Sequence, residues 1–502
     1  MKGFLRCQKS NYDYGHKMKN QNGKSIVLRI SLMFATLAIG VALGIWLLRP
    51  PAPPHEGTAD YPAYQRMMAN IQRLAARPHP SGSLEIENTR DMIIAEIAAM
   101  GLTPVIEHAE LTISEIADKM MWLFNTTKED FWEQNQDLIA EMYGNVRNVD
   151  EFAAAHLGDY FVGDTLILQN ILVKLDSPGT DRGVLFVAHY DSVSGAPGVS
   201  DDMVAVCALL EAMRAQAQNN ELKNDIFFLL TDGEEVGLLG AHAFVDAHPE
   251  LRDSIDMVVN IEARGNRGGL ILFETSSGAY PLLDVVMRSD AKPVGFSVAA
   301  SIYSMMPNDT DLSVFLRAGY SGINLAVIEG VDMYHQPSDD YENLSRASAW
   351  HYLHTALALA DYAANTSLDE LSRPPSDAVY FTFLPGIMVV MSIVVSHILC
   401  AVACILAIVS AVLQAKKKVL KVSFSNIIMG LLVLLSVLCA IFFAAGSYLF
   451  YMPLLVIAIT SMFKKWTFVH IAVRAVSGIV ALLLWIPIVF LVWVSLVQPM
   501  ML

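Results

Sequence analysis

The sequence predicts an α/β domain, a three-layer sandwich around a mostly parallel mixed sheet, joined to a multi-span helical membrane region. Three observations predict it. Between about 58 and 370, short apolar runs of strand length alternate with helical patterns, as parallel sheets covered on both faces require. From Val379 to Leu502 there is no Asp or Glu, and long apolar runs dominate. The composition splits accordingly. Residues 25–378 hold 49 of the 50 acidic residues but 21 of the 34 basic ones, a formal charge of −28. That surface argues against nucleic acid as a partner.

In chain order, residues 1–24 form a basic tail with six Lys/Arg and one acid. Ile30 to Leu48, "ISLMFATLAIGVALGIWLL", is uncharged and meets the ~20 residues a bilayer crossing needs. A cleaved signal peptide is the competing reading. "RPPAPPHEG" follows without a small-residue cleavage site, which favours a signal anchor over 25–49.

The extracytoplasmic domain is expected over 50–378. "LEIENTRDMIIAEIAAMG" reads as a helix with a C-terminal glycine, and "LTPVIEHAEL" as a strand. Residues 113–160 read as a helical insertion that covers a site. Strands are expected at Thr165–Val173, Gly183–Ala188, Asp225–Leu230, Met257–Ile261, Leu270–Phe273 and Gly322–Ile328. Helices are expected at Asp202–Gln216, Gly237–Ala247, Pro281–Ser289, Asp309–Ala318 and Ser345–Ala364.

The region 379–502 reads as about four further spans: Phe381–Leu413, Phe424–Tyr448, Phe450–Phe463 and Phe468–Val497. Basic residues mark cytoplasmic ends. With one span before the domain and four after it, the tail, the 416–421 cluster and Lys464–Lys465 fall on one side. The acidic domain then faces the other side, in periplasm, lumen or exterior. Of five cysteines only Cys207 lies within the domain, so it holds no internal disulfide or CxxC metal motif.

Ligands of open α/β sheets bind at the carboxyl ends of the strands. Those ends carry "HYDS" with His189 and Asp191, then "VSDD" with Asp201 and Asp202. They also carry "TDGEE" with Asp232, Glu234 and Glu235, "EARG" with Glu262, and "YHQPSDD" with Tyr334, His335 and Asp339. One such acid is commonplace on a loop. Their convergence on one edge of one sheet is not. Imidazole with carboxylate suits zinc, whereas calcium prefers more oxygens and no imidazole. Two ions ~3.5–4 Å apart need a bridging carboxylate and a ligand pair each. A carboxylate left over suits a general base.

The run "VAHYDS…GAPGVSDD…LLTDGEEVGLLGA…NIEARG…YHQPSDD", with "RPHPSGS" before it, closely resembles the di-zinc peptidase family of secreted bacterial aminopeptidases and glutamate carboxypeptidase II. The anchor–domain–spans order is similar to its membrane-bound subgroup of Fxna-like endoplasmic reticulum metallopeptidases and vacuolar membrane proteases. The resemblance implies two Zn2+ per chain, one on His189 and Glu262, the other on Glu235 and His335, bridged by Asp201. It implies Glu234 as the base, Asp191 orienting His189, Asp339 doing the same for His335, and Tyr334 stabilising an oxyanion. The implied activity is hydrolysis of peptides by a membrane-anchored exopeptidase. Glu262, where many relatives carry Asp, weakens the case for an aminopeptidase. Asp202 is expected to be a helix N-cap and Asp232 a loop brace. A single-zinc glutaminyl cyclase-like enzyme and a non-catalytic membrane receptor are the alternatives.

Overall fold

The computed structural model describes residues 42–157, 165–304, 306, 308–368, 371, 373–416 and 424–462, with isolated positions at 31, 35, 38, 39, 481, 485 and 489. It divides into two compact units. One is Leu48–Ile393; the other holds the described residues of 394–489 and those before 48.

The first unit opens with α1 (Tyr61–Leu74) and α2 (Leu84–Ala99), the latter capped by Ser83 Oγ accepting from the Ile86 amide. Then follow β1 (Val105–Thr112) and the three helices of the insertion, α3 (Ile113–Leu123), α4 (Lys128–Tyr143) and α5 (Val149–His156). The alternating part runs β2 (Thr165–Leu175), β3 (Gly183–His189), α6 (Val204–Gln216), β4 (Asp225–Thr231), α7 (Leu239–Ala247), β5 (Ile255–Ala263), β6 (Ile271–Thr275) and α8 (Tyr280–Arg288). It closes with β7 (Val294–Gly295), α9 (Ser297–Tyr303), α10 (Asp311–Arg317), β8 (Gly322–Val327), α11 (Arg346–Asn365), β9 (Ala378–Leu384) and β10 (Ile387–Ser392).

The main sheet has eight strands in the order β1-β2-β4-β3-β5-β8-β6-β7. The central neighbours β4, β3, β5 and β8 are parallel, and antiparallel pairs flank them at β1–β2, β2–β4 and β6–β8. The expected mixed, mostly parallel sheet is therefore present. Strands β3 and β4 are buried along their whole length because both faces are covered. Phe186 and Phe228 face a core built with α1, α2, α6 and α11. Leu185, Val187, Phe227 and Leu229 face Phe244 of α7 and Phe315 of α10. Each such side chain contributes roughly 1.5–3 kcal/mol by leaving water. This packing holds the strands, and so their carboxyl ends, in fixed register.

Two expectations are corrected here. Phe381–Leu413 is not one apolar span. Its first part lies in the β9–β10 hairpin, which packs on the sheet edge through Thr382 Oγ1 and the backbone of Gly295. A Pro-Gly turn at 385–386 between two β-rich runs explains this, and strand and membrane segments look alike in apolar content. Asp202 does not cap a helix. Residues Val199–Met203 form a short π-helical turn with non-helical φ/ψ at Asp201 and Asp202, and no side chain caps it.

After the hairpin, Ile393–Leu413, of mean hydropathy 2.7, is the one described helix long and apolar enough to cross a membrane. The shorter apolar helices Met429–Phe442 and Tyr448–Ile459 follow. The expected multi-span region is thus supported at a single span. Part of the segment Ile30–Leu48, all of the span Phe468–Val497 but positions 481, 485 and 489, and Lys417, Lys418, Lys421, Lys464 and Lys465 lie outside the described residues.

Candidate metal centre

Strands β3 and β5 each bring a donor side chain to one edge of the sheet, and the loops after β4 and β8 bring Glu235 and His335. β3 ends at His189, which is 1% exposed. Its Nδ1 lies 3.0 Å from the Asp191 carbonyl oxygen. A carbonyl only accepts, so Nδ1 carries a proton, which leaves Nε2 as the ring nitrogen able to give a lone pair to a cation. That Nε2 faces Asp201 Oδ1 at 3.3 Å and Glu262 Oε2 at 3.6 Å. Glu262 stands near the end of β5, which is parallel to β3.

A second group shares Asp201. His335 Nε2 lies 3.2 Å from Asp201 Oδ2 and 3.0 Å from Glu235 Oε2. Both sets bring their donor atoms within 4.8 Å of one another. The five expected ligands are therefore brought together as two groups of three, with Asp201 common to both.

Several observations test whether a cation fits. His335 Nε2, Asp201 Oδ2 and Glu235 Oε1 are buried and have no hydrogen-bond partner. Unsatisfied buried groups of this kind are costly unless something pairs with them. Burial opposes charge on His189, yet Glu262 and the bonds to Asp191 and Asp201 raise its pKa well above 6.5. Against the same opposing burial, Asp201 and Glu235 raise His335 to about 10. Burial and the neighbouring Asp201 charge push Glu235 up to about 7, while the two histidines draw Asp201 down despite its burial. The centre is thus short of positive charge, which divalent cations on imidazole and carboxylate donors would supply.

Glu234 belongs to neither group. Among the described residues its carboxylate has no hydrogen-bond partner. Burial, then the Glu262 charge, raise it well above the usual carboxylate range. Gly233, at φ 79°, turns the chain between β4 and the two glutamates. A side chain there would also meet Leu168 Cδ2 at 2.8 Å. The turn is held from the other side by Asp191, whose Oδ1 accepts from the Glu234 amide at 3.1 Å and Oδ2 from the Glu235 amide at 3.2 Å. Asp191 therefore has a second task beyond the expected one of orienting His189. Tyr334 stacks on His335 with centroids 3.7 Å apart. Burial, then Asp201, Glu235, Glu234 and Glu262, keep its phenol protonated.

Asp339 departs from its expected role. Its carboxylate accepts from the amides of Ser200, at 2.9 and 3.1 Å, and Asp201, at 3.2 Å. It holds the backbone of the shared ligand, a contact 138 residues away in sequence. Asp232 braces a loop as expected, accepting from Ser81 Oγ at 2.7 Å and the Gln169 amide at 3.0 Å. The helical insertion packs behind the glutamate turn: Ile116 and Leu157 join Val236 and Leu239 in one cluster.

The sequence reading missed Ser81, Asp311 and Asn260. Ser81 lies in "RPHPSGS" and reaches Asp191 Oδ2 at 3.3 Å. Asp311 is fully buried and accepts from Thr231 Oγ1 at 2.5 Å. Asn260 sits two residues before Glu262, in the quoted "NIEARG". For Asn260 the available signal was a polar residue inside an otherwise apolar strand; Ser81 lies in a turn and Asp311 at the start of α10, where sequence offers no such signal.

Residues 170–360 match peptidase family M28. The vacuolar membrane protease of Lachancea thermotolerans is 26% identical over 367 residues, covering 72% of this chain and 35% of that protein. The vacuolar membrane protease of Candida albicans is 34% identical over 222 residues, covering 43% and 25%. The chain thus spans 35% or less of the length of these relatives. Among solved structures, the aminopeptidase from Aneurinibacillus sp. strain AM-1 aligns with a TM-score of 0.44 at 14% identity, covering 62% of this chain and 97% of that one. Porphyromonas gingivalis glutaminyl cyclase aligns at 0.41 and 15%, covering 59% and 97%. The match to peptidase family M28, residues 170–360, encloses both donor groups, Glu234 and Tyr334.

Proposed function

We propose that this chain is a membrane-anchored zinc peptidase that hydrolyses peptide bonds, with exopeptidase and, first of all, aminopeptidase action. One observation carries the proposal: two donor groups share Asp201, and an unligated glutamate stands beside them. His189 and Glu262 would hold one Zn2+, Glu235 and His335 the other, with Asp201 on both. When bound, the ions supply Lewis-acid activation of a water and polarisation of the scissile carbonyl.

The remaining steps belong to the chain's own residues. Glu234, ionised, accepts the proton of the attacking water. Its raised pKa suits it to return that proton to the leaving amine. The Tyr334 phenol donates towards the carbonyl oxygen as charge develops there. Asp191 keeps the Glu234 backbone and the His189 ring in register, and Asp339 keeps Asp201 in place. The span Ile393–Leu413 and the relatives' membrane naming support the bilayer as a partner, with the acidic domain extracytoplasmic.

The test uses the detergent-solubilised full chain with free and N-acetylated peptides. The proposal expects hydrolysis that a chelator abolishes and zinc restores, with N-acetylation blocking cleavage. Internal cleavage of the acetylated peptide would contradict the exopeptidase assignment. One ion per chain, with cyclisation of N-terminal glutamine, would instead favour the cyclase reading.

A further inference from the structure

Glu262 carries one more methylene than Asp, so its carboxylate has an extra torsion to fix before it can serve as a donor. What fixes it lies across the sheet. Asn260 is on the same face of β5, two residues earlier, and is fully buried. Its Nδ2 donates to Glu262 Oε1 at 3.3 Å and to Asn324 Oδ1 at 3.1 Å. Asn324, also fully buried, is the cross-strand partner of Asn260 on β8. Its own Nδ2 donates to Glu274 Oε2 at 3.0 Å and to Thr310 Oγ1 at 2.7 Å. Glu274 is in turn the partner of Asn324 on β6.

A polar row therefore crosses three neighbouring strands whose other central positions are apolar. Its polarity is ordered. Asn324 is locked by acceptors on its amine side, so its oxygen must turn to Asn260. That oxygen turns the Asn260 amine towards Glu262. The arrangement leaves Asn260 Oδ1 buried without a donor, a feature packing alone would not retain. With Oε1 of Glu262 engaged, Oε2 is the oxygen left 3.6 Å from His189 Nε2.

We infer that Asn260, locked by Asn324, is a positioning residue that fixes the Glu262 carboxylate as a donor of the His189–Asp201–Glu262 group. The inference rests on the reading of that group as an ion site. Removing outer partners of metal ligands typically lowers metal affinity about 10–100-fold. Asn260 does so at one ion only, since the Glu235–His335 pair lies on other elements.

The experiment titrates the metal-free full chain with Zn2+ calorimetrically, and with Co2+ to follow the visible absorption of the bound ion. The variants are Asn260→Ala, Asn324→Ala, Glu262→Asp and Asn260→Ala/Glu262→Asp. Asn260→Ser, which retains a small polar group, serves where Asn260→Ala fails to fold. Expected are two ions in the parent, an affinity loss of about 10–100-fold at one of them in Asn260→Ala, and a smaller loss in Asn324→Ala. In the Glu262→Asp background Asn260→Ala should add little, because the shorter carboxylate has already left the amide. Equal loss at both ions, unchanged affinity, or additive effects in the double variant would overturn the inference. A parent that binds no ion would overturn the ion-site reading itself, and this inference with it.

Discussion

The two donor groups use the same chemistry, one imidazole and two carboxylates each, yet they are built differently. The His189 group is fully buried, and two of its three donors stand at or near the ends of central strands. In the other, the His335 side chain is 35% exposed, and both His335 and Glu235 come from loops. His335 also sits at φ 58°, a left-handed conformation that a non-glycine residue adopts at some cost. One half of the centre is thus part of the core, and the other faces outward. If two ions bind as proposed, the buried half would hold the retained one and the open half the substrate-facing one.

The largest expected effect comes from the residue the halves share. Asp201→Asn should release both ions and abolish turnover, as metal analysis of the dialysed protein and a peptide assay would report. Retention of one tight ion would break the picture of a common ligand. Next come the unshared ligands. Glu235→Gln should leave one ion bound and Glu262→Gln should disturb the other, so the residual ion should exchange slowly in the first and fast in the second. Competition with a coloured chelator measures this. Equal exchange rates would remove the asymmetry.

Much of this centre could be read in the sequence, and the parts that could not have a physical reason. Strand ends announced His189, Glu235 and Glu262, because an apolar run that stops at a charged residue has few other uses. The partner of Asp339 was hidden because a loop carboxylate can turn to any amide that folding brings near, here Ser200 and Asp201. The hairpin at Ala378–Ser392 was hidden because "VYFTFLPGIMVVMS" is apolar throughout, and content alone does not separate a strand from a span. Asn260 was legible as an oddity without a role: only the cross-strand register supplied Asn324 as its partner.

The smallest expected effect concerns a histidine away from the centre. His351 is as buried as His189 but accepts from the Leu270 amide at Nδ1, at 3.0 Å, and has the Lys292 carbonyl at Nε2, at 3.2 Å. Burial, with no carboxylate to offset it, lowers its pKa from 6.5 to about 4. Neutral when folded and protonated more readily when unfolded, it contributes its full stability above pH 6.5 and loses it as pH falls towards 4. Between pH 7 and 5 that amounts to about 2 kcal/mol of unfolding free energy. His351→Gln should flatten this part of the profile in urea unfolding. A parallel slope in parent and variant would show that burial is not what separates His351 from His189.

The most direct test lies in the adjacent pair Glu234 and Glu235. Metal content and turnover of Glu234→Gln should be measured together on the full chain. The account predicts two ions per chain, as in the parent, with turnover reduced by about 10²–10⁴-fold, the range of a lost general base. Parent-like turnover, or loss of an ion from Glu234→Gln, would contradict it.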